Sequence, residues 1–566
     1  MAVKLENLSR SNSLPKWDNL SLEEQVAQMV VVRASGYLFD HQIQYPDWEP
    51  PAKQLQHWLQ DLGVGGVIFV GGSAGEVAIR SQQLQNWAKV PLLIAADIEE
   101  GTGQRFSGAT WFPPPMAIGA VAAEDEQQAQ LYAAQMGAIT AQEALAIGIN
   151  WILAPVVDVN NNPQNPVINV RSFGETPAVV SQLATSFIQG AQQYPVLTTA
   201  KHFPGHGDTA TDSHLKLPTL PHAISRLETV ELPPFQDAIA SGVDAVMTAH
   251  LLIPAWDKQY PATLSKQVLT QVLRSNLGFE GLIVTDALVM GAITNRYGAQ
   301  EAPVMAVEAG ADIVLMPSSP EGAIQAICEA VRTGRISQEQ IQASVERIWQ
   351  AKTKVFGGLE SQSSILKNRV SSLTTPTPNL LLQLAQPSAL TTVANILQDS
   401  QKIGGSVPLP PEPPNSDRQP CNLIVVDNAI TCDFLGRNAP AVVLPRQLGY
   451  ELQLIDGHTP AIAQDLCNSG LEQPTLLQLF IRCNPFRESI GLTPLAKNFL
   501  NKLLKKNNLQ ALVIYGSPYI LEQLQPDLPP ATPYVFSYGQ TPEAQAIALK
   551  VLFAEATPVH TFTEFL

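Results

Sequence analysis

The residues able to do chemistry in this 566-residue chain stand at the ends of short apolar runs. Leu92–Asp97 closes on Asp97, and Asn150–Val157 runs into Asp158. Val196–His202 closes on Lys201 and His202, Ala245–His250 on His250, and Leu282–Asp286 on Asp286. A single Asp after a strand more often caps a turn than reacts. Five polar closures at equivalent ends are what a shared pocket requires. Histidine narrows the reading: five of the nine lie between His202 and His250, namely His202, His206, His214, His222 and His250. The stretch Lys201 to His214 reads KHFPGHGDTATDSH, and its glycines and proline make a shaped loop rather than a helix. Residues two apart in an extended segment point to one side. The Asp212 carboxylate can then hold one ring nitrogen of His214 and raise the basicity of the other, which is acid–base chemistry. His202, His206 and Asp208 admit a metal reading. They lack the compact helical or Cys-bearing spacing of zinc sites, so no metal is expected.

The elements that must position these residues alternate. Candidate strands are Met29–Ala34, Val64–Val70, Leu92–Asp97, Asn150–Val157, Val196–His202, Ala245–His250, Leu282–Asp286 and Asp312–Met316. Helical patterns lie between them, as in Asp125–Ile147, Pro177–Gln193 and Ser265–Ser275, and Ser21 with Glu24 makes a capping box before the first. Eight strands alternating with helices predict a (β/α)8 TIM-like barrel, with active groups at the C-terminal ends of its strands. The glycine cluster between Gly63 and Gly72 lacks the fingerprint of a phosphate loop. A last barrel helix around Ser344–Val355 leads to a Ser/Thr/Pro-rich stretch. The expected division is a catalytic barrel over 1–356, a linker over 357–379 and a smaller αβα sandwich over 380–566. Its candidate strands are Leu423–Val426, Ala441–Leu444, Leu476–Ile481, Ala511–Tyr515 and Tyr534–Ser537, with the proline cluster Val407–Pro420 as a surface loop.

Composition bounds the function. With 45% hydrophobic and 15% charged residues, the chain has material for large cores. A formal net charge of −16 argues against nucleic acid or an anionic membrane as partner. Five cysteines without C-x-x-C spacing read as buried thiols in a reducing compartment. No export signal is seen, and no apolar run approaches the ~18 residues of a membrane span. The expectation is a soluble cytoplasmic protein.

The segment KHFPGHGDTATDSH, together with VTDALVMGAI from Val284 and AVEAGADIVLMPSSPEGAI from Ala306, resembles glycoside hydrolase family 3, in its β-N-acetylglucosaminidase (β-hexosaminidase) branch. The resemblance runs from Ser21 to Lys352. The second domain is similar to the family's sandwich in length and alternation only. The resemblance implies Asp286 as nucleophile, His214 as general acid/base and Asp212 as its partner. It implies sugar contacts from Asp97, Arg105, Arg171, Lys201 and His202, and no cofactor. The implied reaction is retaining hydrolysis of terminal β-linked N-acetylglucosamine, on muropeptide-like fragments in cell-wall amino-sugar recycling. A histidine acid/base does not repel phosphate, so an N-acetylglucosaminide phosphorylase is an alternative. A β-glucosidase or β-xylosidase is another, but those members take a glutamate acid/base from the second domain. A non-catalytic sugar binder would require a broken nucleophile or dyad, and neither is broken. Two departures stand out: Glu100 follows Glu99 where two glycines are common, and Lys216 follows the dyad.

Overall fold

A computed structural model describes residues 14–46, 48–210, 217–357, 380–409, 419–426, 432, 434–457, 471–482 and 493–554. Eight parallel strands form one sheet: β1 Val30–Ala34, β2 Gly66–Phe69, β3 Leu93–Ala96, β4 Trp151–Ile152, β5 Leu197–Phe203, β6 Ala245–Thr248, β7 Leu282–Val284 and β8 Val314–Leu315. They follow one another in chain order, and β8 pairs with β1. The remaining seam is closed by a Val284–Ile313 bridge, with Thr285 N donating to Ile313 O at 3.0 Å. All eight expected strands are present; seven are shorter than their apolar runs, and β5 keeps its length but is shifted by one residue. Continuous apolar strands suit a parallel sheet covered on both faces. The expected capping box is also present, with Glu24 N donating to Ser21 Oγ at 3.2 Å ahead of the helix Leu22–Gln28. The barrel closes with the helix Gln338–Phe356, which places Lys352 inside the base.

The second sheet has six strands: β9 Lys402–Gly404, β10 Cys421–Val426, β11 Glu451–Asp456, β12 Thr475–Ile481, β13 Leu509–Gly516 and β14 Tyr534–Ser537. Their order is β9-β14-β13-β12-β10-β11, parallel throughout except for β9. Alternation splits the core. Leu423, Val425, Leu477 and Ile514 face one apolar cluster, while Ile424, Val426, Phe480 and Val513 face another. Both faces are therefore covered, as an αβα sandwich requires. Four of the five expected strands are found. Ala441–Leu444 is instead part of the helix Pro440–Gln447. Proline at its first turn fits a helix start, and four consecutive apolar residues carry no period to separate strand from helix. The edge strand β11 carries no buried apolar run that would mark it in the sequence, since its alternation leaves Leu452 and Leu454 half exposed. The short antiparallel β9 carries none either. Most of the proline cluster (410–418) and of the expected linker (358–379) lies outside the described residues. No helix among the described residues is long and apolar enough to cross a membrane.

Lys352 carries a cost. Its Nζ donates to Gln28 Oε1 and Pro91 O, both at 2.7 Å, and no carboxylate meets it among its described bonds. Burial pushes the ammonium down from 10.5 to about 7. The unfolded chain holds this proton to about 10.4, so it binds more protons than the fold between those values, and stability rises with pH across that window. Replacing Lys352 by Met should therefore raise the melting temperature, relative to the parent, more at pH 6 than at pH 9. A gain that grows with pH contradicts this.

Candidate active site

The strand ends bring most of the expected residues to one rim. Asp97 follows β3 and keeps a third of its side chain exposed. Lys201, within β5, is buried and donates to Asp97 Oδ1 at 2.7 Å. The same ammonium reaches Glu99 Oε1 at 2.6 Å. Arg171 grips Glu99 with two bonds, Nε to Oε2 at 2.8 Å and Nη2 to Oε1 at 2.7 Å. Its third donor goes to Val167 O at 2.9 Å. Arg105 Nε donates to the Asp97 carbonyl at 3.1 Å. Four charged groups thus form one chain, Asp97–Lys201–Glu99–Arg171. Burial alone would raise the Glu99 carboxyl, but the Arg171 and Lys201 charges hold it well below its ordinary value. Burial likewise opposes the Lys201 charge, and Asp97 and Glu99 more than offset it.

A second hub lies behind the first. Asp158, fully buried after β4, accepts the backbone N–H of His206 at 2.7 Å. It also faces His202 Nδ1 at 2.8 Å and accepts the His202 N–H. Asn165 braces the loop from the other side, its Nδ2 donating to His206 O at 2.8 Å and Gly207 O at 2.9 Å. Gly207 is obligatory here, since a Cβ would sit 1.7 Å from Val159 O. Burial lowers the His206 imidazole to about 4, so it stays neutral at neutral pH and is a poor proton donor. His250, at the end of β6, meets Thr263 Oγ1 at 2.7 Å and Ala287 O at 3.2 Å. It therefore braces the backbone beside Asp286. Asp286 itself is half-buried just past β7, with Oδ1 accepting Ala287 N at 2.7 Å.

His202, His206 and Asp208 do not converge on a metal. The first two engage Asp158 and Thr209, while Asp208 turns to His222 at 2.9 Å. Among the described residues one group of possible ligands gathers, Asp208, His222 and Glu231. The Arg226 guanidinium already bonds two of them, at 3.5 Å to Asp208 and 3.2 Å to Glu231, and supplies the cation there. Asp212 and His214 lie outside the described residues, as does Lys216.

Comparison with known proteins agrees with this architecture. Residues 21–351 match the profile of the glycosyl hydrolase family 3 N-terminal domain, and residues 414–554 that of the bacterial family 3 C-terminal domain. The chain belongs to glycosyl hydrolase family 3. A β-hexosaminidase A of Pseudoalteromonas piscicida is 37% identical over 61% of this chain and 62% of its own length. A β-N-acetylglucosaminidase/β-glucosidase of Cellulomonas fimi is 30% identical over 52% of this chain and 53% of its own. The chain thus spans about half to three-fifths of these two relatives. A solved family 3 β-N-acetylglucosaminidase from Paenibacillus sp. str. FPU-7 superposes with a TM-score of 0.75 at 32% identity, covering 95% of this chain and 97% of that one.

Reading this family 3 chain by residue type alone missed three participants. Glu99 registered only as a neighbour of the unusual Glu100, yet it is the centre of the charge chain. Asn165 gave no signal beyond the asparagine-rich run at 160–165. Arg482 lies 382 residues downstream of its rim partner Glu100, and no local pattern links it to the rim. Removing the Glu99 carboxylate leaves Arg171 and Lys201 without their common anion. Glu99→Ala should therefore destabilise the fold by about 3–5 kcal/mol in denaturant unfolding, the cost of breaking a buried pair. A loss below about 1 kcal/mol, the scale of an exposed pair, contradicts the buried-centre assignment.

Proposed function

We propose that the chain is a retaining glycosidase that removes terminal β-linked N-acetylglucosamine. The observation that carries this is the Asp97–Lys201–Glu99–Arg171 chain at the rim it shares with Asp286. A partly exposed carboxylate backed by a buried ammonium is a preorganised acceptor for sugar hydroxyls. Arg105, Arg171 and Lys201 add donors that discriminate against ligands lacking the matching oxygen. Support for the sugar comes from the relatives, named as β-hexosaminidase and β-N-acetylglucosaminidase.

In this reading Asp286 attacks the anomeric carbon while the bond to the leaving oxygen breaks. The imidazolium of His214 gives its proton to that oxygen. A glycosyl ester of Asp286 forms. Neutral His214 then takes a proton from water as the water oxygen attacks the anomeric carbon, freeing the sugar and restoring the carboxylate. Asp212 orients the imidazole, while His202 is held by Asp158 beside the pocket. The substrate class is small N-acetylglucosaminides, muropeptide-like fragments included, and the amino-sugar recycling role that the family resemblance implies suits the cytoplasmic location expected from the sequence.

General acid–base help is typically worth about 10²–10⁴-fold. His214→Ala should lose that much on alkyl glycosides and far less on nitrophenyl glycosides, whose leaving group needs no proton. Equal losses on both count against the role. Asp286→Ala should melt like the parent and turn over neither substrate. Adding phosphate should change neither rate nor product; accumulation of the sugar 1-phosphate would move the assignment to phosphorolysis.

A further inference from the structure

The second domain brings a cation to the rim. Arg482 stands immediately after β12 and forms a two-pronged pair with Glu100, Nη1 to Oε2 at 3.0 Å and Nη2 to Oε1. Glu100 is fully buried and also accepts Trp111 Nε1 on Oε2 at 3.0 Å. Phe434, again from the second domain, packs edge-on against Trp111 with ring centroids 4.7 Å apart. The Arg482 charge is felt beyond Glu100, being attracted by Glu99 and repelled by Arg171. Glu100 also organises its own loop. Its carbonyl accepts Phe112 N at 2.8 Å and its N–H donates to Gln104 Oε1 at 3.0 Å. The next residue, Gly101, holds φ at +87°, where an added Cβ would meet Thr110 O at 2.7 Å.

We infer that Arg482 is a positioning residue of the sugar pocket, acting through Glu100 to fix the loop that carries Asp97, Glu99 and Arg105. A glycine after Glu99 would need no partner. A carboxylate there is tolerable in the interior only with a cation and further donors, and both come from, or lean on, the second domain. The pocket therefore takes its working shape only when that domain is docked. The inference rests on the sugar-pocket reading above for its substrate and on the ion pair for its mechanism.

The test uses the full chain and four variants: Arg482→Met, Arg482→Lys, Glu100→Gln and the double Glu100→Gln/Arg482→Met. Arg482→Met should raise KM for a nitrophenyl N-acetylglucosaminide, and the Kd of N-acetylglucosamine, by about tenfold or more while kcat stays within about threefold. Arg482→Lys should recover most of the loss. The double variant should return to the level of Glu100→Gln alone, because no buried charge is left unpaired. Amide hydrogen exchange across residues 97–105 should quicken in Arg482→Met, with or without sugar. Unchanged exchange there overturns the inference whatever the sugar result, as does a double variant no better than Arg482→Met. If the parent protein binds no N-acetylglucosamine, the pocket reading fails alone, and the exchange result still decides the role of Arg482.

Discussion

The buried Lys201 and Glu99, with the largely buried Arg171, stand behind the partly exposed carboxylate of Asp97. Taking such charges out of water costs several kcal/mol each, and their mutual attraction returns that only with good geometry. A well-packed apolar substitute would be as stable, so stability does not explain the arrangement. Under the proposed function, preorganisation does: a carboxylate whose partner is already fixed would pay no reorganisation when a sugar hydroxyl arrives. The barrel supplies the fixing: Asp97 and Glu99 follow β3, Lys201 lies near the end of β5, and Arg171 comes from the loop after β4. Parallel neighbouring strands bring their ends to one rim, so residues far apart in sequence meet there by topology.

That topology was the most legible part of the chain. Parallel strands covered on both faces are written as unbroken apolar runs, and their polar last residues mark the rim. This is why all eight barrel strands, and Asp97, Lys201, His202 and Asp286 at their ends, could be read directly. The sandwich was less legible. Its edge strand Glu451–Asp456 is solvated and carries charge at both ends, while Ala441–Leu444 is apolar enough for either state. Sequence also gives residue types but not partners. Glu99 reads as one acid among fifty until two cations are seen on it, and His206 reads as a possible metal ligand until its ring is seen to engage Thr209.

Glu100 shows how a departure from the family pattern acquires a reason. In the sequence it is an extra acid beside the pocket. In the fold it is a buried anchor to which the second domain brings an arginine. The same domain also meets the barrel through Tyr519, whose hydroxyl accepts Asn160 Nδ2 at 2.8 Å and donates to Glu175 at 2.6 Å. It meets it again through Ser517, bonded to Asn169 at 3.0 Å. Asn160 and Asn169 are bonded to each other at 2.9 Å in the loop that carries Arg171. The sandwich thus braces both loops that build the charge chain.

The proposed function requires Asp286 to form a covalent glycosyl ester beside that chain. Incubation with a fluorinated N-acetylglucosaminyl trapping reagent, followed by intact-mass measurement and peptide mapping, addresses it directly. A single sugar added per chain, located on Asp286, is expected. A label on any other residue, or none from a reagent that inactivates the enzyme, would contradict it.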